Sequence, residues 1–331
     1  MTTRILGVSE ASLRLAKQLI SEGEVVAFHT ETVYGLGADA RSDKAVRHIF
    51  ELKGRPQNNP LIAHVHKDFD ISSLVDVIPA YAKKLAKAFL PGPLTMVYPS
   101  TGKVSPLVSC GLQTLAVRVP SSPTAQAFLR AVDVPIAAPS ANVSKHISPV
   151  TARHVFEDFE GRIPLILDGG RCEGGIESTV LDCTGETPQI LRAGLVTQEM
   201  IASVAGSCGV YIPKQGEQPK SPGMAYKHYA PKCRTAFFAP EELEKARALY
   251  LEEEQKGGTP CFFCEEETAR HLAGCRVLDL GSTGEEMANR LYELLHRGEE
   301  EATLLIGICP KERGGVYEGV LNRLTRAFGR E

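Results

Sequence analysis

The sequence predicts an α/β protein in two units: a large domain around a twisted mixed sheet, a linker, and a small Rossmann-like open α/β domain. Short apolar runs of strand length alternate with amphipathic helical segments along most of the chain. A stretch rich in Pro and Gly breaks that alternation at residues 211–234. The 331 residues suit about two domains at roughly 150 residues each. The expected division is 1–210, 211–234 and 235–331.

Ser9 is placed to cap a first helix with Leu13, Ala16, Leu19 and Ile20 on one face and Gly23 at its end. Residues 24–30 read as a buried strand. Ser42 caps a second helix over 43–53, stopped by Gly54. Residues 60–65 read as a strand, and 79–90 as an amphipathic helix halted by Pro91-Gly92-Pro93. Strands are expected over 94–98, 114–119 and 134–138, with helices over 123–132 and 150–159. The runs 165–167, 178–182 and 189–192 follow one another without helices, so the sheet should be mixed. Beyond the linker come strand 235–238, helix 241–255, strands 260–264 and 276–280, helix 285–296, strand 303–308 and helix 317–328. No Gly-x-Gly-x-x-Gly follows a strand there, so no dinucleotide site is expected.

Composition narrows the function. Hydrophobic residues at 43% and charged residues at 23% suit a soluble globular chain that needs no staples. A net charge of -3 argues against a wholesale electrostatic grip on nucleic acid. No apolar run approaches the roughly 18 residues of a membrane span, and the N-terminus lacks the apolar core of a signal peptide. The expectation is a cytoplasmic protein without membrane contact. The nine cysteines are odd in number and scattered, which fits reduced thiols. Cys261 and Cys264, with His271 and Cys275, have the spacing of a zinc knuckle. The run Thr-Pro-Cys-Phe-Phe-Cys reads better as a buried strand, in which residues three apart point to opposite faces.

Charge is unevenly spread. Residues 1–210 hold 20 basic and 20 acidic residues, 211–234 hold five and one, and 235–331 hold 12 and 19. The linker reads Ser221-Pro-Gly-Met-Ala-Tyr-Lys-His-Tyr-Ala-Pro231, with aromatic, His and Lys side chains suited to touching a ligand. Alternatively, Tyr226 and Tyr229 simply staple the linker to a domain.

Candidate chemistry gathers in loops of the first domain. Lys53-Gly-Arg55-Pro-Gln-Asn-Asn59-Pro60 sets two cations and several amides at a helix end. Those cations complement a helix dipole or recognise a triphosphate. Pro139-Ser140-Ala-Asn142-Val-Ser144-Lys-His-Ile-Ser148-Pro149 offers hydroxyls, an amide and backbone N–H groups ahead of a helix. Ser148 equally suits a plain N-cap. Asp168-Gly-Gly-Arg-Cys-Glu-Gly-Gly-Ile-Glu-Ser178-Thr-Val has four glycines that let the backbone turn tightly or approach a ligand. It is not a Walker loop. Arg118 and Arg192 stand in apolar strands and need a partner, either a structural carboxylate or an anionic ligand. His64 is a polar group in a third apolar strand. No nucleophile elbow, metalloprotease helix, kinase loop or carboxylate pair is found. The chemistry therefore points to binding, orientation and charge stabilisation.

His29-Thr-Glu-Thr32-Val-Tyr-Gly-Leu, Lys53-Gly-Arg55-Pro, Pro-Gly-Pro-Leu-Thr, Arg118-Val-Pro, Pro-Ser140-Ala-Asn142 and Glu-Ser178-Thr-Val together resemble the YrdC-like family. With the linker and second domain, the chain resembles its long-form L-threonylcarbamoyladenylate synthases over essentially its whole length. The resemblance implies that L-threonine, bicarbonate or CO2, and ATP give L-threonylcarbamoyl-AMP and pyrophosphate. It implies Mg²⁺ bound with the ATP phosphates, with no metal site of the protein's own. It implies a downstream tRNA threonylcarbamoyl transferase machinery as partner, with at most a weak contact to tRNA itself. By matching positions, Thr32, His64, Arg118, Ala138 and Ser178 would hold threonine. Lys53, Arg55, Asn59, Thr114, Ser140, Asn142, Ser148 and Arg192 would surround ATP, with Lys53, Arg55, Ser140 and Asn142 at the reacting phosphates. Tyr226 or His228 would reach over the nucleotide as a lid. The chain departs from the family at Lys145-His146, where Gly is frequent, and at Ala193, where Pro is common. An RNA-binding module and a carbamoyl-transfer enzyme are the alternative readings.

Overall fold

The computed structural model describes residues 1–213, Pro219 and 229–329. The first domain is built on β1 (Arg4–Gly7), β2 (Val26–Phe28), β3 (Gly35–Asp39), β4 (Ile62–His64), β5 (Leu94–Pro99) and β6 (Thr114–Arg118). It continues through β7 (Ile136–Ala138), β8 (Leu165–Asp168), β9 (Thr179–Asp182), β10 (Gln189–Arg192) and β11 (Gly209–Val210). They form one sheet in the order β1-β8-β2-β3-β7-β4-β6-β5-β9-β10-β11. Pairing is mixed, as expected: β4 with β6 and β5 with β9 run parallel, while β4 with β7, β5 with β6 and β9 with β10 run antiparallel. This order brings the ends of β4, β6, β7 and β9 to one region, where the chemistry-bearing loops meet.

Local signals explain the helices. Ser9 and Ser42 accept backbone N–H groups at the starts of helices Glu10–Ser21 and Asp43–Lys53. Gly54 ends the second helix with a left-handed backbone, φ 58°. The helix expected over 150–159 spans Ala152–Phe159, and its cap is Thr151 rather than Ser148. The Ser148 hydroxyl instead donates to Glu177 Oε1 at 2.6 Å.

The sequence reading passes over β1, β3 and β11. β3 is Gly-Leu-Gly-Ala-Asp, whose glycines carry little strand signal. They are there because another side chain occupies the space. A Cβ on Gly37 would lie 2.7 Å from Ile136 Cγ2 and 2.9 Å from the Phe28 ring.

The second sheet comprises β12 (Arg234–Phe238), β13 (Pro260–Cys264), β14 (Val277–Asp279) and β15 (Leu304–Ile308). Its order is β12-β15-β13-β14, and every pairing is parallel. β13 is buried throughout, which places Cys261 and Cys264 in the core. Helices Gly284–Glu301 and Val316–Phe328 of this domain meet the first domain. Arg171 pairs with Glu293 at 2.5 Å, and the rings of His154 and His296 stack at 3.8 Å. Gly175 (φ 70°) belongs to this seam, because a Cβ there would lie 2.1 Å from Ala288 O. One glycine of the Asp168–Ser178 loop thus serves contact between domains, not approach to a ligand. Among the described residues, no helix is long and apolar enough to cross a membrane.

Candidate active site

The helix ending at Lys53 delivers its ammonium into the 140–148 loop. Lys53 is 2% exposed. Its Nζ donates to Ser140 O at 2.6 Å, to Asn142 Oδ1 at 3.3 Å and to Asn142 O. Burial, and then repulsion from Arg55, push its pKa well below the usual lysine value. In return, Ser144 N–H donates to Lys53 O at 2.9 Å. Ser140 donates through Oγ to Asn142 Oδ1 at 2.5 Å, and Asn142 Nδ2 donates to His146 O at 2.8 Å. Arg55 donates to the carbonyls of Asn59 and Pro60 at 3.1 and 2.9 Å, which braces the loop after the helix. Asn59 is buried, and neither its side-chain nitrogen nor its oxygen has a hydrogen-bond partner among the described residues.

The opposite side is built on β4, β5 and β6. His64 and Arg118 are neighbours in register across β4 and β6, and Thr95 pairs with Arg118 across β5. Arg118 donates to Thr32 Oγ1 at 2.8 Å and to Glu31 Oε1 at 2.7 Å, while its Nε has no partner among the described residues. Thr30 donates to Val33 O at 2.6 Å, so the 2.9 Å contact between Thr30 and Thr32 uses the Thr32 proton. The polar chain therefore runs in one direction, from Arg118 through Thr32 and Thr30 to Val33. Glu31 resists its burial because Arg118 holds its carboxyl below the usual range. Burial, and then Arg118, push His64 down to about 3, so it is neutral at pH 7. Its Nδ1 lies 3.1 Å from Ile62 O, which requires the proton on Nδ1.

Between these halves, Arg192 donates from Nε and Nη2 to Ser178 O at 3.1 and 3.0 Å. The Ser178 hydroxyl lies 2.8 Å from that of Thr95. One pocket gathers Lys53, Arg55, His64, Arg118, Ala138, Ser140, Asn142, Ser178 and Arg192 from the expected set. Thr32, Asn59 and Ser148 are buried next to the lining residues without joining them. Thr114 opens β6, at the end of the strand away from Arg118, and does not line the pocket. Tyr226 and His228 lie outside the described residues.

Four contributors carry no assignment from the sequence. Glu31, Thr95 and Glu177 lie inside the quoted motifs but act on neighbours, a role that residue type alone does not signal. For Tyr229 the sequence leaves ligand contact and stapling open. The residue is buried, lines the pocket and packs its ring 5.2 Å from that of Tyr292. Lys145 and Tyr229 both adopt left-handed backbones, φ 77° and 66°, and Ala230 N–H donates to Lys145 O at 3.0 Å. A left-handed residue at 145 is a backbone that glycine would adopt without strain.

Fold and site define a two-domain YrdC-type protein with a buried pocket suited to anions. Residues 18–194 match the family model for Sua5, YciO and YrdC proteins, described as Telomere recombination. Residues 196–329 match the model described as Threonylcarbamoyl-AMP synthase, C-terminal domain. The chain is 40% identical to the threonylcarbamoyl-AMP synthase of Bacillus subtilis, over 98% of this chain and 95% of the relative. It is 39% identical to that of Pyrococcus abyssi, over 97% and 95%. The crystal structure of P. abyssi Sua5 complexed with L-threonine matches with a TM-score of 0.89 at 37% identity, covering 99% of this chain and 97% of that one. The chain belongs to the threonylcarbamoyl-AMP synthase family.

Proposed function

We propose that this chain converts L-threonine, bicarbonate or CO2, and ATP into L-threonylcarbamoyl-AMP and pyrophosphate. The observation that carries the reading is the charge of the pocket. Among the described residues lining it, five are Lys or Arg (Lys53, Arg55, Arg118, Lys145 and Arg192), and the single carboxylate, Glu177, is paired with Arg323. Such a pocket favours a polyanion.

The threonine amine first condenses with bicarbonate to give a carbamate and water. A carbamate oxygen then attacks the α-phosphorus, and the bond to the β,γ-pyrophosphate breaks. No protein nucleophile is needed. The threonine carboxylate takes Arg118, which lines the pocket and whose Nε has no partner among the described residues. Neutral His64, with Thr32, Ala138 and Ser178, completes that subsite. Lys53, Arg55, Ser140, Asn142 and Arg192 face the triphosphate and stabilise charge on the phosphoryl oxygens. Asn59 does not line the pocket and acts through Arg55, which donates to its carbonyl, and Ser148 acts through Glu177. Thr114 is the weakest member of the ATP set because it starts β6 away from the pocket. Tyr229 covers the site on the linker side. The cover excludes water from the labile carbamate.

Among the described residues, no three His, Cys, Asp or Glu side chains gather to hold a metal. A Mg²⁺ ion coordinated by phosphate and water oxygens fits this donor set. When bound, it neutralises triphosphate charge. The product passes to a transferase machinery that modifies tRNA in the cytoplasm, and tRNA itself is held weakly. The decisive test is pyrophosphate release from ATP with Mg²⁺. Release that requires both L-threonine and bicarbonate supports the reading. Release that ignores either one, or no release from folded protein, refutes it. Filter binding of tRNA across salt concentrations then separates this reading from an RNA-binding module.

A further inference from the structure

One charged side chain of the second domain reaches the pocket wall. Arg323, on helix Val316–Phe328, is 0% exposed. Its Nε donates to Glu177 Oε2 at 3.1 Å and its Nη2 to Glu177 O at 3.4 Å. Its Nη1 donates to Ala193 O at 2.5 Å and to Gly319 O at 3.3 Å. Glu177 immediately precedes Ser178, and Ala193 immediately follows Arg192. One guanidinium thus grips the two backbone segments that present Ser178 and Arg192, while Arg192 bonds back to Ser178 between them. A lysine has one nitrogen and lacks this fork.

Two further observations give the grip a purpose. Tyr292, also from the second domain, donates to Glu177 Oε2 at 2.9 Å, and Ser148 donates to Oε1 at 2.6 Å. The carboxylate therefore collects one loop of the pocket and two helices of the other domain. Glycines permit this approach: a Cβ on Gly194 would lie 2.5 Å from Thr179 N, and one on Gly319 would lie 3.3 Å from Gly194 Cα. A buried ion pair is a poor source of stability compared with apolar packing, so its usefulness lies in fixed geometry and charge balance. Glu177 lines the pocket. Without its countercharge it would repel a triphosphate.

We propose that Arg323 is a positioning residue: from the second domain it sets Ser178 and Arg192 in the pocket and neutralises Glu177. The inference rests on reading the pocket as the ATP and threonine site. It makes the second domain part of the active site's construction.

The full chain is tested as wild type, Arg323→Lys, Arg323→Met, Glu177→Gln and Glu177→Gln/Arg323→Met. Pyrophosphate release is measured against ATP and threonine, with hydrogen exchange at residues 176–179 and 192–196 and thermal melting alongside. Arg323→Met is expected to raise KM for ATP about tenfold or more, with a smaller change for threonine, and to speed exchange in both segments. Restored charge balance in Glu177→Gln/Arg323→Met should recover part of the KM for ATP, while exchange in both segments stays fast. Arg323→Lys, which keeps charge without the fork, should fall between. If Arg323→Met does not fold, Arg323→Lys and the double variant decide the matter by the same readouts. The proposal is overturned if kinetic constants and exchange stay at wild-type values in folded Arg323 variants. It is also overturned if activity falls only in step with melting temperature and the double variant rescues nothing. If wild type releases no threonine-dependent pyrophosphate, the functional reading fails, and the exchange data still decide whether Arg323 fixes these segments.

Discussion

Glu177 makes a quantitative prediction about acid. Burial disfavours its charged form, but Arg323 and then Arg192 outweigh that cost and hold its pKa at about 2 against an ordinary 4.5. A pKa lowered by folding stabilises the folded state above the unfolded value, and this contribution disappears as pH falls from 4.5 toward 2. At 1.36 kcal/mol per pH unit, the difference is worth about 3 kcal/mol at pH 7. The residue is 7% exposed, so solvent screening removes little of it. Unfolding entropy for a chain of 331 residues is roughly 0.7 kcal/mol/K, so 3 kcal/mol corresponds to about 4–5 °C in melting temperature. The assay is calorimetric melting of wild type and Glu177→Gln from pH 7 to pH 3. His64 and His296, both pushed down to about 3 by burial, titrate in both proteins and cancel in the difference. The gap should be full above pH 5 and close steadily below it. A gap that stays constant from pH 7 to pH 3 would show that Glu177 is not a buried, paired carboxylate, and the account of the domain seam would fall with it.

Three other predictions follow from the site. Lys53→Ala leaves the Ser140 and Asn142 carbonyls without this donor and removes a phosphate-facing charge, so pyrophosphate release should drop at least a hundredfold in kcat/KM. Arg118→Ala paired with Glu31→Gln, which avoids stranding a buried carboxylate, should raise KM for threonine about 10- to 100-fold while KM for ATP stays near wild type. Gly37→Ala forces a methyl to within 2.7 Å of Ile136 Cγ2 and should lower stability by about 1–3 kcal/mol in denaturant titrations, with activity retained in the folded fraction.

The sequence made most elements legible because they follow local rules. Ser9, Ser42 and Gly54 mark helix ends by chemistry that needs no tertiary context. β3 escapes those rules, because its glycines answer to the Phe28 ring from the neighbouring strand. The site was legible by residue type where side chains meet the pocket, as with Lys53, Arg118 and Ser178. It was illegible where a residue works on another residue. Nothing in Glu-Ser-Thr-Val shows that the glutamate faces an arginine 146 positions later. Ser148 suits a helix cap and a ligand contact equally by its place before a helix, but Thr151 takes the cap and frees Ser148 for Glu177.

Three of the site's cations, Lys53, Arg118 and Arg192, are buried and already engaged. Lys53 is ringed by three oxygens, Arg118 holds Glu31 and Thr32, and Arg192 holds Ser178. Each was desolvated during folding, at a cost that packing elsewhere must offset. For a reaction without a protein nucleophile, that arrangement has a physical reason. Donors fixed by other protein groups do not reorganise when charge moves onto phosphoryl oxygens, so their stabilisation goes to the transition state. Lys53 is fixed by a loop of its own domain, whereas Arg192 is fixed through Ser178 and Ala193 by a guanidinium from the other. Loosening Lys53 should therefore depend only on the first domain. Loosening Arg192 should depend on how firmly the two domains are joined, and the Arg323 variants separate these two cases.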